Sequence, residues 1–462
     1  LPIPPGFRLE GMDEVTKLPL HPFQIEGASF LVHARQAVLA DAVGLGKTVQ
    51  TLAACAYLSK QGRLQRALVL VPSAIKLQWG DETARFTDLP YLVIHGDKEE
   101  RMALWEQALA EDFRGLVIVN WELLHHDTDA MVAYAERCEA IILDEAERIR
   151  NYKTKTSKLL RDLTPPYRWA LTATPLQVRV EELYSIMRWV DPFCFGFRPK
   201  EFLSRYCVRN KFGQVVAPRT PMLPELQARV APYILRRTEE DVQTQLPAIQ
   251  EERVRVYMTA AQTQLHQKIK ASLLDLLDQR DRLAVAADQD LSDEQRARLH
   301  ARNEYLSQAI LGRLALLKMV ASHPAALLDS ESDYVKELLE GVDPSALATA
   351  PKLDWLLHLL YEEPDAQVVV FSEFARVASL IYDALVANKI SAVFESGETS
   401  DRERKAAQDL FQIGAARVFV STDAGSRGIN LQRGQIVVHF DLPWNPATLT
   451  QRDGRIRRIG SA

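Results

Sequence analysis

Long apolar runs are missing from this 462-residue sequence. No stretch approaches the roughly 20 consecutive apolar residues that a membrane-spanning helix needs. The opening residues, LPIPPGFRLE, lack the basic end and the apolar run of a signal peptide. We therefore expect a protein without a membrane anchor that stays inside the cell. Its place would be the cytoplasm or the nucleoid in a bacterium, and the nucleus in a eukaryote.

Cysteine is scarce, and an excess of positive charge is absent. The four cysteines, Cys55, Cys138, Cys194 and Cys207, form no Cys-x-x-Cys pair. This spacing supports neither a disulfide framework nor a zinc finger. Acidic residues number 61 and basic residues 56, which gives a formal net charge of −5. Any surface that binds nucleic acid is therefore expected to be a local basic patch.

The composition is typical of a globular protein with more than one domain. Hydrophobic residues make up 47% of the chain and charged residues 25%, values close to the globular average. A chain of this length is too long for one ordinary domain. We expect two or three units, each with its own core.

Short runs rich in β-branched residues alternate with helical stretches in two parts of the chain. The first series lies at 67–72, 91–96, 115–121, 140–146 and 168–174, and the second at 367–374, 391–397, 417–422 and 435–443. This alternation is typical of βαβ units around a buried parallel sheet. The sequence therefore predicts an α/β fold with two lobes, in which parallel sheets are flanked by helices.

Residues 259–328 separate the two series and contain almost no strand pattern. Leucines at helical spacing predict a helical insertion, most simply an antiparallel helix pair that turns near 286–293. A coiled-coil dimerisation arm is the alternative, although its heptads are short and interrupted. The predicted domains are 1–235 for the first lobe, with a helical protrusion at about 190–230, then 236–350 for the linker and helical insertion, and 351–462 for the second lobe.

A glycine-rich segment, DAVGLGKTVQ at 41–50, lies between an apolar run and a helical stretch. Backbone N–H groups of such a loop bind phosphate oxygens, and the helix N-terminus adds a favourable dipole. Lys47 is predicted to reach the β- and γ-phosphates of ATP, and Thr48 to bind Mg²⁺. Because Asp41 stands where the general pattern has its first glycine, a merely structural turn is the alternative. The candidate nucleotide-binding residues of the loop are Asp41, Gly44, Leu45, Gly46, Lys47 and Thr48.

An acidic pair follows the apolar run AIIL. Asp144 is predicted to bind Mg²⁺ and Glu145 to polarise the attacking water, because a metal-bound triphosphate needs both a carboxylate ligand and a base. Two carboxylates after a strand also occur in solvated turns or as helix caps. Their place downstream of a phosphate loop, within the same sheet pattern, favours catalysis.

A basic segment, QRDGRIRRIG at 451–460, lies near the end of the sequence. Arg455 and Arg458 are three residues apart, so in a helix they face the same side. Arginines supplied by a second lobe stabilise the charge that develops on a transferred γ-phosphoryl group. For Arg452 and Arg457, an ordinary basic helix that is solvated or binds phosphates is an alternative as open as a role in the site.

These segments follow one another as in the Swi/Snf-type ATPases of helicase superfamily two, and the chain resembles that family from about residue 20 to 460. LHPFQIEG at 20–27 resembles the adenine-reading Gln motif of the family, with Gln24 in the key place. Further stretches resemble other family motifs: LTATPLQ at 171–177, YILRRTEEDVQTQLP at 233–247, STDAGSRGINL at 421–431 and DLPWNPATLTQRDGRIRRIG at 441–460. The resemblance implies two tandem RecA-like lobes with a helical insertion between them.

By the same resemblance, the chain is expected to be an ATPase that uses ATP and Mg²⁺ and is stimulated by double-stranded DNA. It would step along the duplex without separating the strands and remodel protein–DNA complexes. Gln451, Arg455 and Arg458 would complete the ATP site from the second lobe. A monomeric motor is the expectation, with protein partners or further domains outside this fragment and no membrane partner.

The resemblance also places five residues beside the phosphate backbone of DNA: Ser73, Asn120, Ser372, Thr422 and Arg427. For Ser73, Asn120 and Ser372, capping of strand ends is an alternative that the sequence leaves open.

The chain departs from the family pattern in three motifs. Ala42 replaces a usual acidic residue, Glu147 replaces the usual histidine after Asp-Glu-Ala, and Val178 stands where asparagine often follows TPLQ. Glu147 and Val178 lie in the segments that relay the ATP state to the DNA side in the family. Two other functions stay open: a strand-separating DNA or RNA helicase of the same superfamily, and a non-hydrolysing, ATP-gated scaffold that binds DNA.

Overall fold

A computed structural model describes most of the chain, namely residues 4, 6–172, 180–209, 215–238, 240–242, 251–286, 293–423, 431 and 433–453. The backbone divides into two compact units, the first mainly within residues 1–247 and the second mainly within 248–456. In the part of the chain described, no helix is both long and apolar enough to cross a membrane.

The strands of the first unit follow the β-branched runs of the sequence. In chain order the described strands are β1 (Gln36–Leu39), β2 (Arg66–Val71), β3 (Tyr91–Val93), β4 (Gly115–Asn120), β5 (Ala140–Asp144), β6 (Tyr167–Leu171), β7 (Cys207–Arg209), β8 (Val215–Pro218) and β9 (Ile234–Leu235). Seven of them form one sheet in the order β3-β4-β2-β5-β6-β1-β9, and every neighbouring pair in it is parallel. β7 and β8 form a separate antiparallel ribbon.

Helices connect these strands and cover the sheet. Those described in the first unit are α1 (Pro22–Ala34), α2 (Lys47–Lys60), α3 (Lys76–Phe86), α4 (Lys98–Leu109), α5 (Thr128–Ala135), α6 (Lys155–Asp162), α7 (Val180–Val190), α8 (Pro192–Phe195), α9 (Pro199–Tyr206) and α10 (Leu223–Val230). The region predicted as a helical protrusion, about 190–230, contains α8 to α10 and the β7–β8 ribbon.

The sheet is buried on both faces, which explains why its strands are continuously apolar and not alternating. Along β2, Leu68 and Leu70 pack into the hydrophobic cluster on one face. Val69 and Val71 pack into the cluster on the other face. Successive side chains of a strand point to opposite faces, so each strand contributes to two cores.

The second unit has a smaller sheet and a large helical part. Its described strands are β10 (Val368–Ser372), β11 (Ala392–Glu395), β12 (Val418–Thr422) and β13 (Ile436–His439), and its described helices are α11 (Ala260–Ala286), α12 (Asp293–Ser322), α13 (Asp333–Leu339), α14 (Pro351–Glu362), α15 (Ala375–Ala387), α16 (Asp401–Gln412) and α17 (Pro446–Asp453). The four strands form a sheet in the order β11-β12-β10-β13, again with parallel neighbours only.

The predicted antiparallel helix pair is confirmed by α11 and α12. The side chain of Gln262 donates to the main-chain oxygen of Val320 at 2.9 Å, and that of Arg302 donates to Gln279 at 3.0 Å. Because early residues of α11 meet late residues of α12, the two helices run in opposite directions. The turn between them, 287–292, lies outside the described residues. The base of the pair packs with residues around 327–347 in one hydrophobic cluster of the second unit.

Candidate nucleotide-binding and catalytic site

Three motif segments meet at the carboxyl edge of the first sheet. β6 lies between β1 and β5 and pairs with both in parallel. The glycine loop follows β1, Asp144 is the last residue of β5, and Thr172 directly follows β6. Ligands of parallel α/β sheets bind at this edge. The fold therefore brings the glycine loop and the acidic segment together.

The glycine loop has the backbone that its sequence predicts. Gly44 has φ 88° and Gly46 has φ 71°, values that glycine adopts without the steric cost other residues meet. Gly46 is the N-cap of α2, so the loop opens onto the positive end of a helix dipole. Leu45 is fully buried, while Thr48 is half-buried in the first turn of α2.

Lys47 begins α2 and folds back over the loop. Its Nζ donates to the main-chain oxygens of Asp41 at 2.8 Å and Ala42 at 3.1 Å. Desolvation lowers the pKa of Lys47, and the carboxylates of Asp41, Asp144 and Glu145 oppose this decrease. The ammonium therefore lies in the electrostatic field of the acidic segment.

Gln24 lies against the same loop. It is in the first turn of α1 and buried, and its Oε1 accepts from the backbone N–H of His21 at 3.0 Å. A Cβ on Gly46 would lie 2.6 Å from Nε2 of Gln24, so any other residue here would displace this amide. The candidate adenine-reading residue and the phosphate loop are thus neighbours.

Asp41 has its carboxylate inside the first lobe. The side chain is fully buried. Its oxygens accept from the Gln50 side chain at 3.1 Å and from the backbone N–H and Nε of Arg237 at 3.1 and 3.0 Å. The carboxylate therefore ties the loop to two other segments of the lobe. Arg237 was not singled out from the sequence, although it belongs to the quoted motif at 233–247.

Asp144 is held by two tryptophans that sequence reasoning also missed. Nε1 of Trp79 donates to Oδ2 of Asp144 at 2.9 Å, and Nε1 of Trp121 donates to its main-chain oxygen at 3.0 Å. Burial, reinforced by the nearby charge of Glu145, raises the pKa of Asp144 to about 6. The signal available in the sequence was only that tryptophan carries one N–H that needs an acceptor when buried.

Glu145 has a strained backbone. Its φ of 54° and ψ of 53° lie in the left-handed region, where a non-glycine residue pays an energetic cost. Such strain is concentrated at functional sites. The backbone N–H of Glu145 donates to Oδ1 of Asp144 at 3.0 Å, so the sharp turn also fixes the first carboxylate.

Glu147, which replaces the usual histidine of the family motif, connects the segment after β5 with the end of β6. Thr172 Oγ1 donates to Oε2 of Glu147 at 2.9 Å. Burial and a hydrogen bond with Glu145 raise the pKa of Glu147 well above its ordinary value. A carboxyl that keeps its proton can donate to Glu145 while accepting from Thr172. The contact from the acidic segment to the end of β6 therefore exists without histidine. Val178, the other relay position, lies outside the described residues.

The acidic segment suits a Mg²⁺ ion that is shared with phosphates. Among the residues described, no group of three or more His, Cys, Asp or Glu side chains could hold a metal. Mg²⁺ in phosphoryl-transfer sites is usually bound by one or two carboxylates, with substrate phosphates and water completing its shell. Burial raises the pKa of Asp144 although the nearby charge of Lys47 opposes this increase, so a cation bound beside Asp144 would favour its ionised form. Thr48 and Asp144 therefore fit the two protein ligands predicted from the sequence.

The second unit brings its own motif segments together. Nε and NH2 of Arg452 donate to the two carboxylate oxygens of Asp423 at 2.6 and 2.9 Å, and its side chain is 1% exposed. The sequence expectation of a solvated or phosphate-binding Arg452 is therefore wrong, because this guanidinium is buried and paired with Asp423. Arg455, Arg457 and Arg458 lie outside the described residues. So does the side chain of Gln451, whose backbone belongs to α17.

The candidate DNA-contacting residues are mostly enclosed. Asn120, Ser372 and Thr422 are buried, whereas Ser73 is half-buried and Arg427 lies outside the described residues. Asn120 accepts from Lys76 Nζ at 3.0 Å, and Ser372 donates to Oδ2 of Asp441 at 2.5 Å. These two side chains thus have partners within their own lobe.

The two sheets and the glycine loop define the class of protein. Each unit is a parallel sheet flanked by helices, and the first has a glycine loop at the carboxyl edge beside an acidic strand end. The chain consists of two RecA-like lobes, as the sequence predicted.

Comparison with family models identifies the family within this class. The model of the SNF2-related domain matches residues 23–325, and that of the helicase conserved C-terminal domain matches residues 351–460. The chain belongs to the SNF2-related family, which confirms the resemblance inferred from the motifs.

Two curated relatives and one solved structure show the reach of this similarity. The chain is 28% identical over 452 residues to the ISWI chromatin-remodeling complex ATPase ISW1 of Saccharomyces cerevisiae, covering 96% of this chain and 37% of the yeast protein. It is 28% identical over 457 residues to the putative ATP-dependent helicase/translocase YwqA of Bacillus subtilis, covering 96% of this chain and 45% of that protein. The chain therefore spans less than half the length of either relative. The Pyrococcus furiosus Hef helicase domain has the same fold, with a TM-score of 0.50 at 19% identity, covering 94% of this chain and 93% of that domain.

Proposed function

We propose that this chain is a DNA-dependent ATP hydrolase that couples hydrolysis to translocation on double-stranded DNA and to the remodelling of protein–DNA complexes. One observation carries the hydrolase part. Lys47 lies on a glycine loop within the electrostatic field of Asp144, which ends β5 at the same sheet edge, and of Glu145, which follows it. A cationic phosphate loop beside a metal-binding carboxylate and a base is the apparatus that phosphoryl transfer needs.

Each residue of the first lobe has a chemical role in this proposal. Lys47 exchanges its two loop carbonyls for the β- and γ-phosphate oxygens, and the N–H groups from Gly44 to Thr48 bind the same phosphates. Glu145 orients the attacking water and accepts its proton. Mg²⁺, held by Thr48 and Asp144, would neutralise charge on the phosphates. Gln24 reads the adenine.

The second lobe supplies the remaining residues of the proposed cycle. Gln451, Arg455 and Arg458 are proposed to act on the same phosphates, where arginine stabilises the developing charge. This need for two lobes is what would make turnover depend on DNA. Ser73, Asn120, Ser372, Thr422 and Arg427 keep their proposed place along the DNA backbone.

Double-stranded DNA is the proposed track because of the family and the relatives. The yeast relative is a chromatin-remodeling complex ATPase and the Bacillus relative a putative ATP-dependent helicase/translocase. Because chromatin contains duplex DNA, we infer that this chain follows the phosphates of an intact double helix. A strand-separating helicase is the second candidate, favoured by the name of the Bacillus relative.

Displacement of a labelled third strand from a DNA triplex tests this function. Translocation along the duplex removes the third strand and leaves the two duplex strands annealed. We expect third-strand release by the full chain only with ATP and Mg²⁺, none by Glu145→Gln, and no separation of a plain forked duplex. Separation of the fork would instead establish the helicase. Absence of both activities, with ATP turnover intact, would refute translocation.

A further inference from the structure

The guanidinium of Arg237 joins three segments of the first lobe at the phosphate loop. Its Nε donates to Oδ1 of Asp41 at 3.0 Å, its NH2 to Oε1 of Gln50 at 2.8 Å, and its NH1 to the main-chain oxygen of Phe23. NH2 also pairs with Oδ2 of Asp41, and the guanidinium carbon lies 5.5 Å from the ring centre of Phe23. One side chain thus contacts the loop, α2 and the start of α1.

The backbone around Arg237 is bound to the same loop. β9 pairs with β1 in parallel, and this pairing continues past the strand end, because the N–H of Ala42 donates to the main-chain oxygen of Arg237 at 2.9 Å. Lys47 in turn donates to the main-chain oxygens of Asp41 and Ala42. The residues that set the position of Lys47 are therefore the residues that Arg237 holds.

The packing leaves little freedom for these groups. Asp41 is fully buried, and the Arg237 side chain is 11% exposed. A Cβ on Gly27 would lie 1.7 Å from Oε1 of Gln50 and 2.7 Å from NH2 of Arg237. Because α1 presents a glycine at this contact, the guanidinium and the Gln50 amide fit between α1 and the loop.

We propose that Arg237 is a positioning residue for the nucleotide. It holds the phosphate loop in the conformation that binds nucleotide, and it couples conformational changes of that loop to β9. The proposal rests on the assignment of residues 41–48 as the nucleotide site. Only arginine has the planar fork that pairs with both oxygens of one carboxylate while binding two further acceptors. Lysine keeps the charge and loses that geometry.

Nucleotide affinity of Arg237→Lys tests the proposal, with Arg101→Lys as the matched control. Arg101 forms another bidentate, buried pair in the same lobe, with Asp127 at 2.8 and 3.0 Å, and none of its described contacts involves the loop. We expect Arg237→Lys to weaken the binding of a fluorescent ADP analogue with Mg²⁺ about tenfold or more. Arg101→Lys should lower the thermal midpoint comparably and leave the affinity unchanged.

Measurements of ATP turnover and of amide hydrogen exchange distinguish a positioning role of Arg237 from a purely stabilising one. Arg237→Lys should raise the KM for ATP while kcat at saturating ATP stays within about threefold, since the loop is restored by bound nucleotide. ADP should slow exchange of the Ala42 and Arg237 amides in the wild type and much less in Arg237→Lys, because coupling between two segments is reciprocal. If Arg237→Lys does not fold, Asp41→Asn, which keeps the shape and removes the charge, is measured in the same way.

Equal affinities of Arg237→Lys and Arg101→Lys, or a loss of kcat with unchanged KM, would overturn the proposal. The wild type reports separately on the proposed function. A wild type that binds ADP but shows no DNA-stimulated turnover refutes the motor and leaves the Arg237 test intact. A wild type that binds no nucleotide refutes both.

Discussion

The indole N–H of Trp79 donates to Oδ2 of Asp144 at 2.9 Å. Trp79 belongs to α3, whereas Asp144 ends β5, so a separate element fixes the orientation of the candidate Mg²⁺ ligand. A neutral donor orients a carboxylate without neutralising it, which leaves the charge available to a cation. Partners of this kind behind metal ligands tune affinity as well as geometry.

Removal of this donor should weaken Mg²⁺ binding. We expect Trp79→Phe, which keeps most of the buried ring, to raise the Mg²⁺ concentration for half-maximal ATP turnover by about tenfold. Binding of Mn²⁺ in the presence of ADP, followed by electron paramagnetic resonance, should weaken in parallel. Trp169→Phe is the control, because Trp169 Nε1 donates to the main-chain oxygen of Leu31 at 3.1 Å in the same lobe. Identical Mg²⁺ dependence in the two variants would contradict the role of Trp79.

Replacement of the candidate base should separate binding from chemistry. Glu145→Gln is expected to lower kcat for ATP at least about 100-fold, because a positioned base contributes roughly that much. Nucleotide affinity should change little, since the phosphate loop and Asp144 are retained. Single-turnover hydrolysis and binding of a fluorescent ADP analogue measure the two quantities. A Glu145→Gln variant that hydrolyses ATP at the wild-type rate would remove Glu145 from the mechanism.

The raised pKa of Glu147 predicts a pH dependence of stability with a definite sign. The native carboxyl holds its proton more tightly than the unfolded one, whose pKa is about 4.5. Stability from this group is therefore full below that pKa and is lost as the pH rises through the folded-state value. Glu147→Gln does not titrate and resembles the protonated form. Its thermal midpoint should rise relative to that of the wild type as the pH increases above about 4.5, the pKa of the unfolded carboxyl. A difference that stays constant, or shrinks, would contradict the assignment.

Loss of the Arg452–Asp423 pair, in which the guanidinium is buried and the carboxylate is 27% exposed, should destabilise the second lobe. Arg452→Ala leaves an unfilled space beside this carboxylate, and we expect a cost of about 3 kcal/mol, the lower end of the range for buried pairs, because water still reaches Asp423. Arg298→Ala, which removes an exposed pair with Glu294 whose side chains are 79% and 77% exposed, should cost no more than about 0.5 kcal/mol. Denaturant unfolding followed by circular dichroism measures both. Equal costs would show that the Arg452 pair is not buried in solution.

The sequence was sufficient for the features that depend on local pattern. Continuous β-branched runs predicted the strands that are buried on both faces, and leucine spacing predicted α11 and α12. Glycine at 44 and 46 predicted the loop, because its positive φ angles are a local property of the backbone.

Long-range pairs were beyond the reach of sequence reasoning. Arg237 and Asp41 are 196 residues apart in the chain, and neither charge indicates which partner it will meet. Arg452 lies in a basic stretch that is typical of a solvated helix, and only the fold places Asp423 opposite it. The strained backbone of Glu145 is also imposed by tertiary structure, since glutamate has no intrinsic preference for that region.

ATP turnover by the full chain with duplex DNA, single-stranded DNA, duplex RNA and no nucleic acid tests the central claim most directly. We predict strong stimulation by duplex DNA, weaker stimulation by the other two, and turnover at least about 100-fold lower in Glu145→Gln under every condition. Turnover that is indifferent to every nucleic acid, or turnover at the wild-type rate in Glu145→Gln, would contradict the account.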